Sequence, residues 1–275
     1  MDPFKITEPT VISFSGGRTS AYMLWRVLQS NDGMPDEAIA VFANTGKEVE
    51  STLRFVRDCE TNWGVEIHWV EWRRDDPRFE RVNFETASRN GEPFEECIKY
   101  YRKLPNPVQR WCTGKLKIGT IHRYVKSLGW DHNRDDNSDF VGIRADEMRR
   151  AAKMRREKIP LVTAGVTKQD VMDFWGKSSF DLGLPVIDGQ TVGGNCDLCF
   201  LKSLSQITTL VAHQPERAIW WAKMEEWVES QDSAAVVNQT GNRFNKARPR
   251  YAEIHNFLNR QQDMFEEAIP CFCGD

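Results

Sequence analysis

The 275-residue chain has no apolar run near the ~18 residues that would suggest a membrane-spanning helix. Its first residues, MDPFKITEPTVISF, lack a basic stretch followed by an apolar one, so no secretory signal is expected. The default compartment is therefore the cytoplasm, with no membrane partner. Charge of one sign is missing too. Lys and Arg number 37 against 40 Asp and Glu, a formal net of −3, which argues against a wholesale polyanion binder. No internal repeat or low-complexity tract interrupts the chain, and its length suits one large domain or one domain with appendages. His68, His122, His132, His213 and His255 show no ligand spacing and are assigned no chemistry.

Cysteine is present seven times, and unevenly. Cys59 and Cys97 stand alone and read as small apolar fillers on helices. Cys112 lies in RWCTGKLK, Cys196 and Cys199 form a C-x-x-C, and Cys271 and Cys273 form a C-x-C. In a reducing compartment, clustered cysteines more often bind metal or do chemistry than form disulfides. A C-x-x-C lets two thiolates reach one metal, because a tight turn brings both sulfurs to the same side. Zinc, an iron–sulfur centre and a redox dithiol all stay open on this spacing. A metal link at the C-x-C would tie the last residues onto the body of the protein.

The first part of the chain alternates strands with helices. TVISF at 10–14, AIAVFA at 38–43, residues 65–72 and DFVGI at 139–143 read as strands. Ala21, Leu24, Trp25 and Leu28 have helical spacing, as do Val49, Leu53 and Val56, and then Ile118, Ile121, Val125 and Leu128. Thr167 to Asp170 resembles a capping box ahead of Val171, Phe174 and Trp175. This order predicts an α/β fold, a doubly wound and mainly parallel sheet. Residues 1–205 are expected to form the nucleotide-binding domain, with 76–110 as a polar insertion, and 206–275 a helical C-terminal region ending in a cluster-binding tail.

Ser15-Gly16-Gly17-Arg18-Thr19-Ser20 lies between a predicted strand and a predicted helix. Such a junction aims unpaired N–H groups and the positive end of a helix at one point, and glycines let the backbone curl around an anion. The segment matches neither G-x-x-x-x-G-K-[ST] nor G-x-G-x-x-G. SFSGGRTSAYML resembles the pyrophosphate loop, S-G-G-x-D-S, of the adenine nucleotide alpha-hydrolase superfamily, and within it the phosphoadenosine-phosphosulfate reductase family. FANTGKE at 42–48, RWCTGKLKI at 110–118, VGIRADE at 141–147 and TKQDVMDFW at 167–175 are similar to further segments of that family, in the family's order.

The resemblance implies that Ser15, Gly16, Gly17, Arg18, Thr19 and Ser20 hold the phosphates of ATP or another adenine nucleotide, with Asn44 and Thr45 nearby. It implies a [4Fe–4S] cluster on Cys112, Cys196, Cys199 and one of Cys271 and Cys273, with zinc as the alternative metal. Lys117 and Arg144 become partners for phosphate or sulfonate, and the spare terminal cysteine a carrier of sulfur. Two departures matter. Thr19 stands where the motif has an Asp that helps place a metal–pyrophosphate, magnesium being the expected ion. PCFCGD replaces the Glu-Cys-Gly-Leu-His-type tail of the family's reductases.

The leading expectation is ATP-dependent sulfur transfer: adenylation of an acceptor, then thiolation. The acceptor is a nucleic acid (tRNA or DNA) or a small metabolite, and a cysteine desulfurase or thioredoxin-like protein is the donor. The alternatives are reduction of an adenylyl sulfate, with a terminal Cys as nucleophile, and a nucleotide-sensing regulator or protein-binding subunit. Two basic stretches also stand out. Residues 144–158 carry seven basic and three acidic side chains, and Arg243, Lys246, Arg248 and Arg250 form a run without acids. They read as a nucleic-acid channel or, more often for such runs, as solvated surface.

Overall fold

A computed structural model describes residues 2–130, 138–184, 186–187, 190–191, 193–194, 196–232, 237–238 and 241–266. Asn195, Cys271 and Cys273 lie outside them. Five strands form one sheet: β1 (Thr10–Phe14), β2 (Ala38–Asn44), β3 (Ile67–Trp72), β4 (Phe79–Val82) and β5 (Ser138–Val141), in the spatial order β4-β3-β2-β1-β5. β1 pairs in parallel with β2, Ile12 opposite Ala40, and with β5, Ile12 opposite Phe140. β2 pairs in parallel with β3, Phe42 opposite Trp69, whereas β4 runs antiparallel to β3.

The strands read as unbroken apolar runs because both faces of the sheet are covered. Ile12, Phe14, Ala40, Phe42, Ile67 and Trp69 face a core shared with α1 (Arg18–Asn31), α2 (Glu50–Trp63) and α7 (Lys168–Trp175). Val11, Ile39, Val41, Ala43 and Val70 face the other way, against Ile121, Tyr124 and Val125 of α4 (Gly119–Ser127). Helices on both faces of a mainly parallel sheet make the doubly wound α/β fold that the alternation predicts. α7 begins where expected. Thr167 Oγ1 accepts from the Asp170 N–H, and the Asp170 carboxylate accepts from Thr167 N.

Residues 76–110 contain β4 and α3 (Glu92–Tyr101). β4 is one of the sheet's two outer strands, β5 being the other, and its charges are matched: Arg73 Nη2 meets Glu80 at 2.7 Å, and Arg81 pairs with Glu66. α3 buries Phe94, Cys97 and Ile98. The segment looks polar because few of its side chains are buried: Phe79 and Val82 of β4 pack on opposite faces of the sheet between two exposed charges, and α3 buries one side.

The described residues divide into two compact units, one drawn from 1–97, 112–184 and 194–196, the other from 98–111, 185–193 and 197–275. The second holds three long helices, α8 (Leu204–His213), α9 (Glu216–Glu229) and α10 (Tyr251–Glu266). The helical region expected over 206–275 is interrupted at Gln214-Pro215, between α8 and α9. Trp221 sits in the core of this unit, its ring centroid 4.7 Å from that of Phe244 and 5.3 Å from that of Tyr251. Buried Asp197 accepts from Trp221 Nε1, and Glu225 accepts from the backbone of Phe244 and Tyr251.

Candidate functional site

β1, β2 and β5 run the same way, so the loops that follow them leave at one end of the sheet. The chain reverses its direction of travel across the sheet between β1 and β5, which is where ligands sit in open α/β sheets. Ser15 to Ser20 occupy this point. Gly16 has φ +72°, and a Cβ there would lie 2.6 Å from Thr52 Cγ2, so only glycine fits. Gly17 caps α1 with extended backbone and no side-chain hydrogen bond, leaving the helix's first turn uncapped by any side chain. Ser20 Oγ accepts from Ser15 N, lies 2.9 Å from Ser15 Oγ and donates to Gly17 O, which closes the loop on itself. Trp175 Nε1 donates to Arg18 O at 3.0 Å, pinning the loop to α7.

Arg18 turns to Asp181 in a two-pronged ion pair. The guanidinium holds the Asp181 carboxyl below its ordinary range. On the far side of the loop, Gly142 just after β5 would, with a Cβ, meet Ser20 Cα at 3.1 Å. This close approach brings Arg144 to the loop, where its Nη1 donates to Thr19 Oγ1 at 3.1 Å. Asp146 and then Glu147 hold the Arg144 guanidinium in its charged form. Thr19 and Arg144, proposed from separate segments, therefore meet.

Asn44 and Thr45, at the exit of β2, are buried and bonded to protein. Asn44 Nδ2 donates to Glu71 Oε1 and to Ser88 O, and its Oδ1 accepts from Gly46 N. Thr45 donates from N and Oγ1 to Glu48 Oε2, each at 2.8 Å, and its Oγ1 lies 3.5 Å from Cys196 Sγ. Glu48 and Cys196 are also joined through their backbones.

Lys117 completes this second cluster. It lies on a π-helical turn, Thr113–Ile118, which follows Cys112 directly and leads into α4. Such turns are rare and often mark functional positions. Lys117 Nζ donates to Glu48 Oε1 at 3.3 Å. Burial opposes its charge, but the Glu48 carboxylate, then the sulfurs of Cys196 and Cys112, outweigh that and keep the ammonium protonated. Two cysteines 84 positions apart in sequence thus both act electrostatically on one lysine. Cys97, buried on α3, feels Cys112 as well: burial first and then that neighbouring charge push its thiol far up. Cys199 lies in the second unit, and Cys271 and Cys273 outside the described residues. Among the described residues no set of three or more His, Cys, Asp or Glu side chains is arranged to hold a metal.

The basic stretches divide. Arg155, Arg156 and Lys158 line a concavity of about 490 Å³ beside residues 2–8 and Thr10, at the entrance of β1, the opposite end from the loop. Arg243 donates to Arg248 O, Arg248 to the carbonyls of Phe200 and Lys202, and Arg250 pairs with Glu229. Three of that run's four cations therefore brace the backbone or an ion pair of the second unit. Sequence reasoning missed Glu48, Glu71 and Asp181. Glu48 sits within FANTGKE, but nothing in its spacing shows that it turns inward.

Comparison with known proteins gives three results. The phosphoadenosine phosphosulfate reductase domain family matches residues 9–163, more than half of the chain. An uncharacterized nin region protein of Escherichia phage lambda is 31% identical over 214 residues, covering 72% of this chain and 67% of that protein. An uncharacterized protein of Methanocaldococcus jannaschii is 30% identical over 152 residues, 55% of this chain and 26% of its own length. No solved structure matches.

Proposed function

The chain belongs to the phosphoadenosine phosphosulfate reductase domain family, and from that premise we propose that it binds an adenine nucleotide and uses it for ATP-dependent sulfur transfer. One observation carries the reading. Two adjacent parallel strands end side by side, β1 at the glycine loop and β2 at the cluster of Thr45, Glu48, Lys117, Cys112 and Cys196. A phosphate cradle next to a sulfur-bearing centre suits chemistry that activates an oxygen and then replaces it by sulfur.

In this reading the uncapped first turn of α1 and the hydroxyls of Ser15, Thr19 and Ser20 receive the phosphates. Arg144 faces the charge that develops as an acceptor oxygen attacks the α-phosphorus and pyrophosphate leaves. A sulfur nucleophile then adds to the activated carbon and AMP departs. Thr19 supplies a neutral hydroxyl where the family's loop has a carboxylate, so a magnesium ion would gain no carboxylate ligand from this position.

The donor chemistry suits a metal. Cys112, Cys196 and Cys199 offer the soft sulfur donors that iron and zinc take, and the C-x-x-C spacing lets Cys196 and Cys199 share one metal. With one of Cys271 and Cys273 these residues would hold an iron–sulfur cluster or zinc. A cluster there supplies electrons or a place for sulfide. Lys117 and Glu48 orient the two sulfurs of the first unit.

Pyrophosphate release from ATP in the presence of acceptor, lost in Arg144→Ala, is the expected result. Sulfite release from an adenylyl sulfate identifies the reductase reading instead. Nucleotide binding with neither product points to a regulator.

A further inference from the structure

Lys117, read from sequence as a partner for an anion, has a counter-ion of its own. Glu48 shows only 1% of its side chain to solvent. Its Oε1 accepts from Lys117, its Oε2 accepts from both Thr45 donors, and its backbone is bridged to Cys196. A carboxylate fixed at these points cannot swing aside for a visitor. An anion approaching Lys117 therefore meets the negative charge of Glu48 as well as the ammonium. Lys117 itself is 30% exposed, so it can be reached from outside. An ammonium carries three donors, and one serves Glu48; the other two suit a neutral oxygen that brings no charge to repel.

We propose that the position beside Cys196 and Lys117 takes an uncharged acceptor group, a carbonyl or amide oxygen, and that Glu48 is the specificity-determining residue that excludes a sulfate or phosphate from it. The inference rests on the reading of Ser15 to Ser20 as the nucleotide site, and it names the substrate class for the centre next to that site.

The test is calorimetric titration of the full chain with AMP and with adenylyl sulfate, which differ by one sulfate. The wild type binds the two with affinities within about threefold. Glu48→Gln keeps an acceptor for Thr45 but frees the lysine's charge. Its ratio of adenylyl sulfate to AMP affinity rises about tenfold, the scale expected for one unopposed charge contact. Adding Lys117→Met removes the gain. A wild type that prefers adenylyl sulfate by tenfold or more overturns the proposal, whether or not Glu48→Gln folds. So does a folded Glu48→Gln with an unchanged ratio. If no nucleotide binds to any of the proteins, the loop assignment itself falls and takes the inference with it.

Discussion

Gly16→Ala tests whether the glycine loop is built as described. The residue sits at φ +72°, a region that costs an L-residue about 1–2 kcal/mol. The new methyl would lie 2.6 Å from Thr52 Cγ2, 3.2 Å from Phe42 Cε2 and 3.4 Å from Val56 Cγ2. All three belong to buried core residues, and overpacking of this kind costs about 1–3 kcal/mol. The sum is about 2–5 kcal/mol, or about 4–20 °C in melting temperature at the ~2–4 °C per kcal/mol typical of larger domains. Gly17→Ala is the control one residue on. Its φ is −109°, and a Cβ there meets only Ser15 Oγ at 3.6 Å. It should cost under about 1 kcal/mol, the difference between Gly and Ala at a helix N-cap. Urea and thermal unfolding of the two variants give the answer. Equal losses, or a Gly16→Ala loss below about 0.5 kcal/mol, would refute the geometry of the loop and the reasoning built on it.

Two further outcomes are expected. Glu71 is fully buried and accepts from Ser88 N, Ser88 Oγ and Arg73 Nη2, each at 2.7 Å, and from Asn44. Glu71→Ala leaves those donors stranded and should cost about 3–5 kcal/mol in urea unfolding; a loss under about 1 kcal/mol would contradict the network. Asp181→Asn should cost up to about 1 kcal/mol at pH 7, because the pair with Arg18 is partly solvated. The Asp181 pKa is lowered on folding, first by the hydrogen bond from Arg18. Its contribution is therefore full above the unfolded value near 3.9 and lost as pH falls through the folded one. Wild type and Asp181→Asn should converge as pH falls below the unfolded value, and a gap that does not narrow in acid would be evidence against the pair.

The fold was readable where chemistry and period coincide. β1, β2 and α7 declare themselves through β-branched runs and a Thr–Asp cap, and the structure carries them at nearly the expected bounds. The glycine loop is equally plain, since a strand, two glycines and a helical period follow one another. β4 and α3 were not readable, because their few buried side chains are interspersed with charged ones and leave a polar average. The cluster around Lys117 was half readable. Cys112 and Cys196 announce themselves by type, but the place of Cys196 in the cluster depends on how a distant backbone bridge lays it beside residue 48. Glu48 looked like any surface acid. A charged side chain is expected outside unless paired, and its partners, Thr45 and Lys117, come from different elements.

The outer strand β4 has a consequence for how these molecules behave toward one another. A strand at an open edge offers free N–H and C=O groups to any chain that can lie alongside it. β4 is only four residues long, and its exposed Glu80 and Arg81 are held by Arg73 and Glu66. A second molecule trying to extend the sheet there would have to strip water from those charges for very few new hydrogen bonds. The same ion pairs that look incidental on the surface disfavour extension of the sheet at this edge.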